Sequence, residues 1–278
     1  MENDPIDRDT FRTIAGLAYR ECGLTLVKEK VPMMQSRLRH RLEALGLTDF
    51  RQYAALLESG SGLAERRQLI SALTTNVSHF FREAHHFDAV CASVSARLPD
   101  LRAGAALRIW SAGCSNGQEP LSVAITLLEQ LPEVAHLDLR ILATDIDPVV
   151  IAFAKAGRYP QRLMQGLPAA IRARYFTEHP GRSAEAEFSV RPDLRSMIHY
   201  KELNLLANWP MKSLFDAVLC RNTVIYFDSE TQRVLWPRFR QSLKQDGVLF
   251  LGHSERITTP QVHGFVAAGA TTYRPLSA

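Results

Sequence analysis

The chain has 278 residues, 46% of them hydrophobic and 22% charged, an ordinary balance for a soluble globular protein and enough length for two unequal domains. No apolar run approaches the roughly 18 residues needed to cross a bilayer, and the start, Met1-Glu-Asn-Asp-Pro, lacks the basic flank and apolar centre of a secretory signal, so a cytoplasmic protein without membrane insertion is expected. A formal charge of +4 is too small to make nucleic acid the default partner, and the four cysteines, Cys22, Cys91, Cys114 and Cys220, have no paired spacing, so no metal site or disulfide framework is expected.

Up to about residue 86 the pattern is helical and poor in strand signals. Phe11, Ile14, Leu17 and Ala18 are spaced for one apolar face. Pro32 suits a helix start, and Met34, Leu38, Leu42 and Leu45 recur at helical spacing before Gly46, so those four are expected to face the core. The window 28–42 holds five Lys or Arg against one Glu, a local excess equal to that of the whole chain. Lys30, Arg37 and Arg41 are spaced to share one helix face, which on composition alone reads as a solvated flank. Phe50, Tyr53, Leu56 and Leu57 mark a third helix ended by Gly60-Ser-Gly62, and Leu69, Ile70 and Leu73 a fourth.

Past Arg102-Ala-Gly104, short apolar runs at 107–110, 139–143, 215–220 and 248–252 alternate with helical stretches at 122–131, 148–156 and 229–243. This is the signature of a parallel sheet covered by helices. Phe188-Ser-Val190 and Met197-Ile-His-Tyr200, separated by Arg191-Pro-Asp193, interrupt the alternation and predict a small antiparallel insertion. Asp246-Gly247 predicts a turn before the strand at 248–252, and 270–273 an antiparallel edge strand.

In an open parallel sheet, ligands bind beyond the carboxyl ends of the strands. The loop after the first run, Trp110-Ser-Ala-Gly113-Cys-Ser-Asn-Gly117-Gln-Glu119-Pro120, carries two glycines that let backbone approach a ligand, although a plain strand-to-helix turn explains it equally well. Cys114 reads as a small residue in a tight turn rather than a nucleophile, since no histidine pattern accompanies it. About thirty residues on, Ala143-Thr-Asp145-Ile-Asp147 puts a carboxylate at a strand tip, where it can accept from both hydroxyls of a ribose. Asp147 reads better as the cap of a helix starting at Pro148. No Walker lysine follows the glycine turn, which disfavours a nucleoside triphosphate. Glu119, favourably placed near a helix N-terminus in any case, would repel a pyrophosphate and attract an ammonium or sulfonium. An adenosyl ligand without phosphate fits best. Two further polar stretches stand out: Leu73-Thr-Thr-Asn76-Val-Ser78-His79-Phe80-Phe81-Arg82-Glu83 at the domain junction, readable as cap and core residues, and Arg221-Asn222 at the end of a strand, readable as a solvated loop.

Taken together, Asn76-Val-Ser-His-Phe-Phe-Arg82-Glu83, Ser111-Ala-Gly-Cys-Ser-Asn-Gly-Gln-Glu119-Pro120, Ala143-Thr-Asp145-Ile-Asp147, Leu203-Asn-Leu205, Phe215-Asp-Ala-Val-Leu-Cys-Arg221-Asn222 with Ile225-Tyr226-Phe227, and Gly252-His-Ser-Glu255 resemble the motifs of the chemotaxis receptor glutamate O-methyltransferase family, CheR. The match runs in order over nearly the whole chain. The resemblance implies an α/β fold: a Rossmann-like S-adenosylmethionine-dependent methyltransferase domain at 87–278 with a small antiparallel β insertion at about 160–200, preceded by an all-α N-terminal domain at 1–86. It implies S-adenosylmethionine as cofactor and S-adenosylhomocysteine as product. Asn76, Ser78, Arg82, Glu119, Asp145, Asn204, Leu205, Arg221 and Asn222 match cofactor-binding positions, and Arg82 and Tyr226 match positions that orient the reacting groups. Ser78 stands where relatives often carry threonine, which keeps the hydroxyl.

The implied partner is the cytoplasmic domain of methyl-accepting chemoreceptors, esterified on glutamate side chains during sensory adaptation. A basic N-terminal helix faces the acidic methylation region of the receptor in this family, which gives Arg37 and Arg41 a receptor-binding role. In some members the insertion binds a receptor C-terminal pentapeptide, and the motifs leave open whether this chain is one of them. A monomer is expected. A non-catalytic adaptor is disfavoured by the intact Asp145, Arg82 and Tyr226, and an RNA or small-molecule methyltransferase by the absence of Asn-Pro-Pro-Tyr after the strand at 215–220.

Overall fold

The structure, a computed structural model, describes residues 6–180 and 185–276. The acidic start at 1–5 and residues 181–184 of the expected insertion lie outside the described residues. Asp7 accepts from the amides of Asp9 and Thr10, both at 2.9 Å, and so caps α1 (Arg8–Cys22), which Gly23 ends in a left-handed conformation. Helices α2 (Val31–Leu45), α3 (Phe50–Glu58) and α4 (Leu63–Leu73) follow. Phe11, Ile14, Leu17 and Ala18 pack with Met34, Leu38, Leu42, Tyr53, Leu57, Leu69, Ile70 and Leu73 in one core. Leu45 does not join them and is 38% exposed, because it ends α2 where Gly46 turns the chain away. Lys30 precedes α2 in the single turn Lys28–Lys30, so it does not extend the helix face of Arg37.

After α5 (His85–Ala96) and α6 (Leu98–Arg102) come β1 (Leu107–Ala112), α7 (Gln118–Gln130), β2 (Leu139–Asp145) and α8 (Pro148–Ala156). Then follow β3 (Arg158–Pro160), α9 (Ala169–Tyr175), β4 (Phe176–His179), β5 (Glu187–Val190), α10 (Pro192–Ser196) and β6 (Ile198–Glu202). The chain finishes with β7 (Phe215–Cys220), α11 (Ser229–Ser242), β8 (Leu243–Leu251), β9 (Phe265–Gly269) and β10 (Thr272–Pro275). The main sheet runs β6-β2-β1-β7-β8-β10-β9, parallel from β6 to β8 and antiparallel beyond. Side chains alternate between its faces: Leu107 and Ile109 pack with α5 and α7, Trp110 and Ala112 with Leu235 and Phe239 of α11. Strand order reverses between β1 and β7, and the crevice at that point is where an open sheet binds its ligand.

Four sequence expectations change. Met197 to Tyr200 does not belong to the insertion: β6 pairs parallel with β2, Ile198 beside Ile141 and Tyr200 beside Ala143, at the edge of the main sheet. The stretch Arg191-Pro-Asp193 is not a hairpin turn but leads into α10, which carries the chain from one sheet to the other. The antiparallel insertion is β3-β5-β4. Asp246-Gly247 lies inside β8, where the register on β7 jumps from Leu243 to Val248, so the expected turn is a bulge. The last strand, β10, lies one place in from the edge, which β9 occupies; with one buried residue in five, β9 carries little strand signal.

Candidate active site

β1 delivers the chain to Gly113, β2 to Asp145 and β7 to Arg221, all at the carboxyl edge of the sheet. Gly113 and Gly117 both adopt φ +88, a conformation open to glycine. A Cβ on Gly113 would lie 2.2 Å from Thr223 Oγ1, and one on Gly117 2.9 Å from the Tyr159 hydroxyl oxygen, so the turn is pressed against its neighbours. Between them the Ser115 amide donates to Asp145 Oδ2 at 2.8 Å and its hydroxyl to the Asn76 carbonyl at 3.0 Å. Cys114 is buried, and burial, reinforced by Asp145 and Glu119, pushes its thiol well above the usual range; it is a neutral packing group.

Burial also pushes the Asp145 carboxyl up, against the amides of Asp147 and Ser115, which donate to its two oxygens at 3.0 and 2.8 Å. Each oxygen keeps a lone pair for a ligand hydroxyl. Asp147 has a different task. Its Oδ1 accepts from the Val149 amide at 2.9 Å, capping α8, and from Ser71 Oγ at 2.8 Å, while Oδ2 accepts from the Asn76 side chain at 2.7 Å.

The Arg221 side chain is 1% exposed. Its Nη1 donates to Glu119 Oε2 at 3.0 Å, its Nη2 donates to the Arg82 carbonyl and lies 3.2 Å from Glu83 Oε2, and its plane stands 5.3 Å over the Phe87 ring. Burial pushes the Glu119 carboxyl up, opposed by Arg221 and by the Ser111 hydroxyl, which donates at 2.7 Å. Asn222 is left-handed at φ 56, and its amide donates to Glu255 Oε2 at 2.8 Å. Arg82 sits between Phe81 (φ 55) and Glu83 (φ 56), two left-handed residues that each cost on the order of 1 kcal/mol or more. Its Nη1 donates to the Val77 carbonyl at 3.3 Å.

The helical domain forms one wall. Cys22 and Leu24, at the end of α1, line the same cleft. Asn204 donates to the Glu21 carbonyl at 2.7 Å, and the Thr25 amide to the Tyr226 carbonyl at 3.0 Å, which fix this wall to the sheet domain.

The structure brings Asn76, Ser78, Arg82, Glu119, Asp145, Asn204, Leu205, Arg221, Asn222 and Tyr226 around this one cleft, about 1000 Å³ counting its open mouth. That suits a nucleoside-sized ligand. It does not bring Arg37 and Arg41 there. Arg37 donates to the carbonyls of Leu73 and Thr74 at 2.8 and 2.9 Å and to Thr75 Oγ1 at 3.0 Å, closing the end of α4. Arg41 holds Glu65 through two hydrogen bonds of 2.9 and 2.6 Å, and Glu65 also accepts from Tyr53 at 2.9 Å. Both arginines are engaged within the helical domain rather than standing open together, while Lys28 and Lys30 are exposed. Cys22 and Leu24 carried no sequence signal, being far from every motif. Glu83 and Glu255 stand inside motifs, but their anchoring of Arg221 and of the Asn222 loop shows only in three dimensions.

The cleft fits an S-adenosyl ligand by its own chemistry. Asp145 has acceptor capacity left, the Ser78 and Tyr226 hydroxyls have no protein partner among the described residues, and Arg221 Nε is buried without one. Leu24, Leu205 and Phe227 supply apolar surface. A family model described as CheR methyltransferase, SAM binding domain, matches residues 76–273, and one described as CheR methyltransferase, all-alpha domain, matches residues 9–74.

The chain belongs to the CheR methyltransferase family.

It is 44% identical over 262 residues to a probable chemotaxis protein methyltransferase of Rhizobium etli, covering 93% of this chain and 96% of that protein. It is 39% identical over 264 residues to the chemotaxis protein methyltransferase of Escherichia coli, covering 95% and 89%, and 39% identical over 270 residues to that of Klebsiella aerogenes, covering 97% and 90%. As a CheR methyltransferase it is an S-adenosylmethionine-dependent enzyme, with an all-α domain ahead of an α/β domain that carries a small antiparallel sheet. No helix among the described residues is long and apolar enough to cross a membrane.

Proposed function

We propose that this methyltransferase esterifies glutamate side chains in the cytoplasmic domain of chemoreceptors, working in the cytoplasm as a monomer. The observation that carries the reading is the end-to-end likeness to chemotaxis protein methyltransferases. Arg82 and Tyr226 both line the cleft, and in this reading their guanidinium and hydroxyl orient the acceptor.

We assign Asp145 to the ribose hydroxyls and Glu119, with Arg221 beside it, to the charged methionyl end. Ser78, Leu205 and Asn222 complete the cofactor contacts, and Asn76 and Asn204 act on them by holding the walls, through Asp147 and the Glu21 carbonyl. When bound, the cofactor supplies an electrophilic methyl group on a sulfonium. A glutamate with an ordinary pKa of about 4.3 is already ionised at neutral pH, so the protein needs no strong base. Its task is alignment, which in well-oriented reactions is worth several kcal/mol, on the order of 7 or more. A guanidinium held too tightly on the acceptor carboxylate would stabilise the ground state and slow transfer. Arg82 therefore orients the carboxylate from the side, tethered to the Val77 carbonyl, while Tyr226 donates to one acceptor oxygen.

The basic stretch before and within α2 faces the receptor. Lys28 and Lys30 present open charge, and Arg37 and Arg41 set how α2 sits on α4. Where a receptor carries a C-terminal peptide, an outer strand of β3-β5-β4, β3 or β4, is suited to accept it as an added strand. The test is mass spectrometry of a chemoreceptor cytoplasmic fragment after incubation with enzyme and S-adenosylmethionine: methyl esters on glutamates support the reading, and methylation confined to other residue types refutes it.

A further inference from the structure

Arg82 has an unusual mounting. The residues on both sides of it are left-handed, and neither is glycine. Glu83 Oε1 lies 3.0 Å from His253 Nδ1 and 4.0 Å from Arg82 Nε, and Oε2 lies 3.2 Å from Arg221 Nη2 and 3.5 Å from His86 Nδ1. Arg221 Nη2 in turn donates to the Arg82 carbonyl. The bend is thus closed into a ring: Arg82 main chain, Arg221 guanidinium, Glu83 carboxylate, and back along the chain to Arg82. His253 ties that ring to the loop after β8. Burial works against a charged Glu83, but His253 and Arg221 outweigh it and hold the carboxyl down at about 2, so the ring stays ionised at neutral pH.

The strain at Phe81 and Glu83 needs such an anchor. Phe81 has one of its own, its amide donating to Ser122 Oγ at 3.0 Å. On the other side of Arg82 the side-chain anchor is Glu83. Without its negative charge, Arg221 keeps Glu119 as its carboxylate partner, and nothing charged holds the second left-handed residue.

We infer that Glu83 is a positioning residue for methyl transfer: acting through Arg221 and through its own ion pair with Arg82, and supported by His253, it holds the strained bend that presents Arg82 to the cleft. It does not touch cofactor or acceptor. The inference rests on the role proposed above for Arg82.

The test is a double-mutant cycle on the full-length enzyme, with Glu83→Gln and Arg82→Ala, reading methyl transfer to a chemoreceptor cytoplasmic fragment, S-adenosylhomocysteine affinity by calorimetry, and melting temperature. Glu83→Gln is expected to lower kcat about tenfold or more while changing S-adenosylhomocysteine affinity less than about threefold. In the Arg82→Ala background the same change should alter kcat less than twofold, since the group it positions is gone. If Glu83→Gln does not fold, His253→Asn reads the same ring from its exposed end, with a kcat loss of a fewfold that again vanishes in the Arg82→Ala background. Losses that add in the cycle, or a folded Glu83→Gln with parental kcat, overturn the inference. So does a parallel fall in cofactor affinity and kcat, which would make Glu83 a support of the cofactor site. A normal kcat for Arg82→Ala alone overturns instead the reading of Arg82 on which this one rests.

Discussion

The Asn76 side-chain amide donates to Asp147 Oδ2 at 2.7 Å, so the domain junction is held by the residue that caps α8. Because Asp147 also accepts from Ser71 Oγ at 2.8 Å, one buried carboxylate ties the helical domain to the tip of β2. Asp147→Ala leaves these donors unpaired, at about 1–3 kcal/mol for a buried group. It is expected to lower unfolding free energy by about 2 kcal/mol in denaturant titration and to weaken S-adenosylhomocysteine binding. Adding Asn76→Ala should then change affinity little. Additive losses would place Asn76 in direct contact with the cofactor.

Asp145→Asn removes the charge at the strand tip and keeps the shape. Affinity for S-adenosylhomocysteine should fall about tenfold or more by calorimetry. One of the two backbone amides that donate to Asp145 then faces a carboxamide NH2 instead of an oxygen, which outweighs the relief of discharging a carboxyl whose pKa burial has raised, so the melting temperature at neutral pH should fall modestly. Unchanged affinity removes Asp145 from the site.

His86 is fully buried, and burial, joined by repulsion from Arg221 and His85, pushes it down from 6.5 to about 4. The unfolded chain takes up this proton below about pH 6.5, the folded chain only near 4. Its contribution is therefore complete above pH 6.5 and is lost as pH falls through that window, by up to about 3 kcal/mol in total. His86→Gln should flatten the dependence of unfolding free energy on pH between 6.5 and 4. A variant with the parental slope contradicts the assignment.

The helical domain separates structural from exposed arginine and lysine. Arg41→Ala leaves the Glu65 carboxylate, 9% exposed, with Tyr53 alone, and should cost about 3 kcal/mol, as breaking a buried pair does. Lys28→Glu with Lys30→Glu should spare the melting temperature and weaken receptor binding, most strongly at low salt. If Arg41→Ala spares stability and weakens receptor binding alone, Arg41 is a surface contact instead.

Much of this architecture is legible in the sequence because its signals are local. The α1 face, the cap at Asp147, the β7 bounds and the acid at the tip of β2 follow from periodicity, capping and strand length. What escaped depends on where a segment goes after it leaves its neighbours. The run at 198–200 looks the same as an insertion strand or as an edge of the main sheet, and only its parallel pairing with β2 decides. Arg37 and Arg41 read as an open face because their partners, at the end of α4 and at Glu65, lie about 24 or more residues away. The wall made by Cys22 and Leu24 comes from the other domain, and Glu83, next to Arg82 in sequence and paired with it, is anchored by Arg221, a residue far along the chain. Motif spacing locates the residues of a site, but not the ties that hold them.

The central claim is that the cleft between the domains transfers methyl groups to receptor carboxylates. Its most direct test is incubation of the full-length enzyme with methyl-labelled S-adenosylmethionine and a chemoreceptor cytoplasmic fragment, followed by release of label in base. The account predicts label on the fragment that alkali releases as methanol, reduced about tenfold or more by Asp145→Asn and by Arg82→Ala. Alkali-stable label, or no label on a fragment that binds the enzyme with cofactor present, would contradict it.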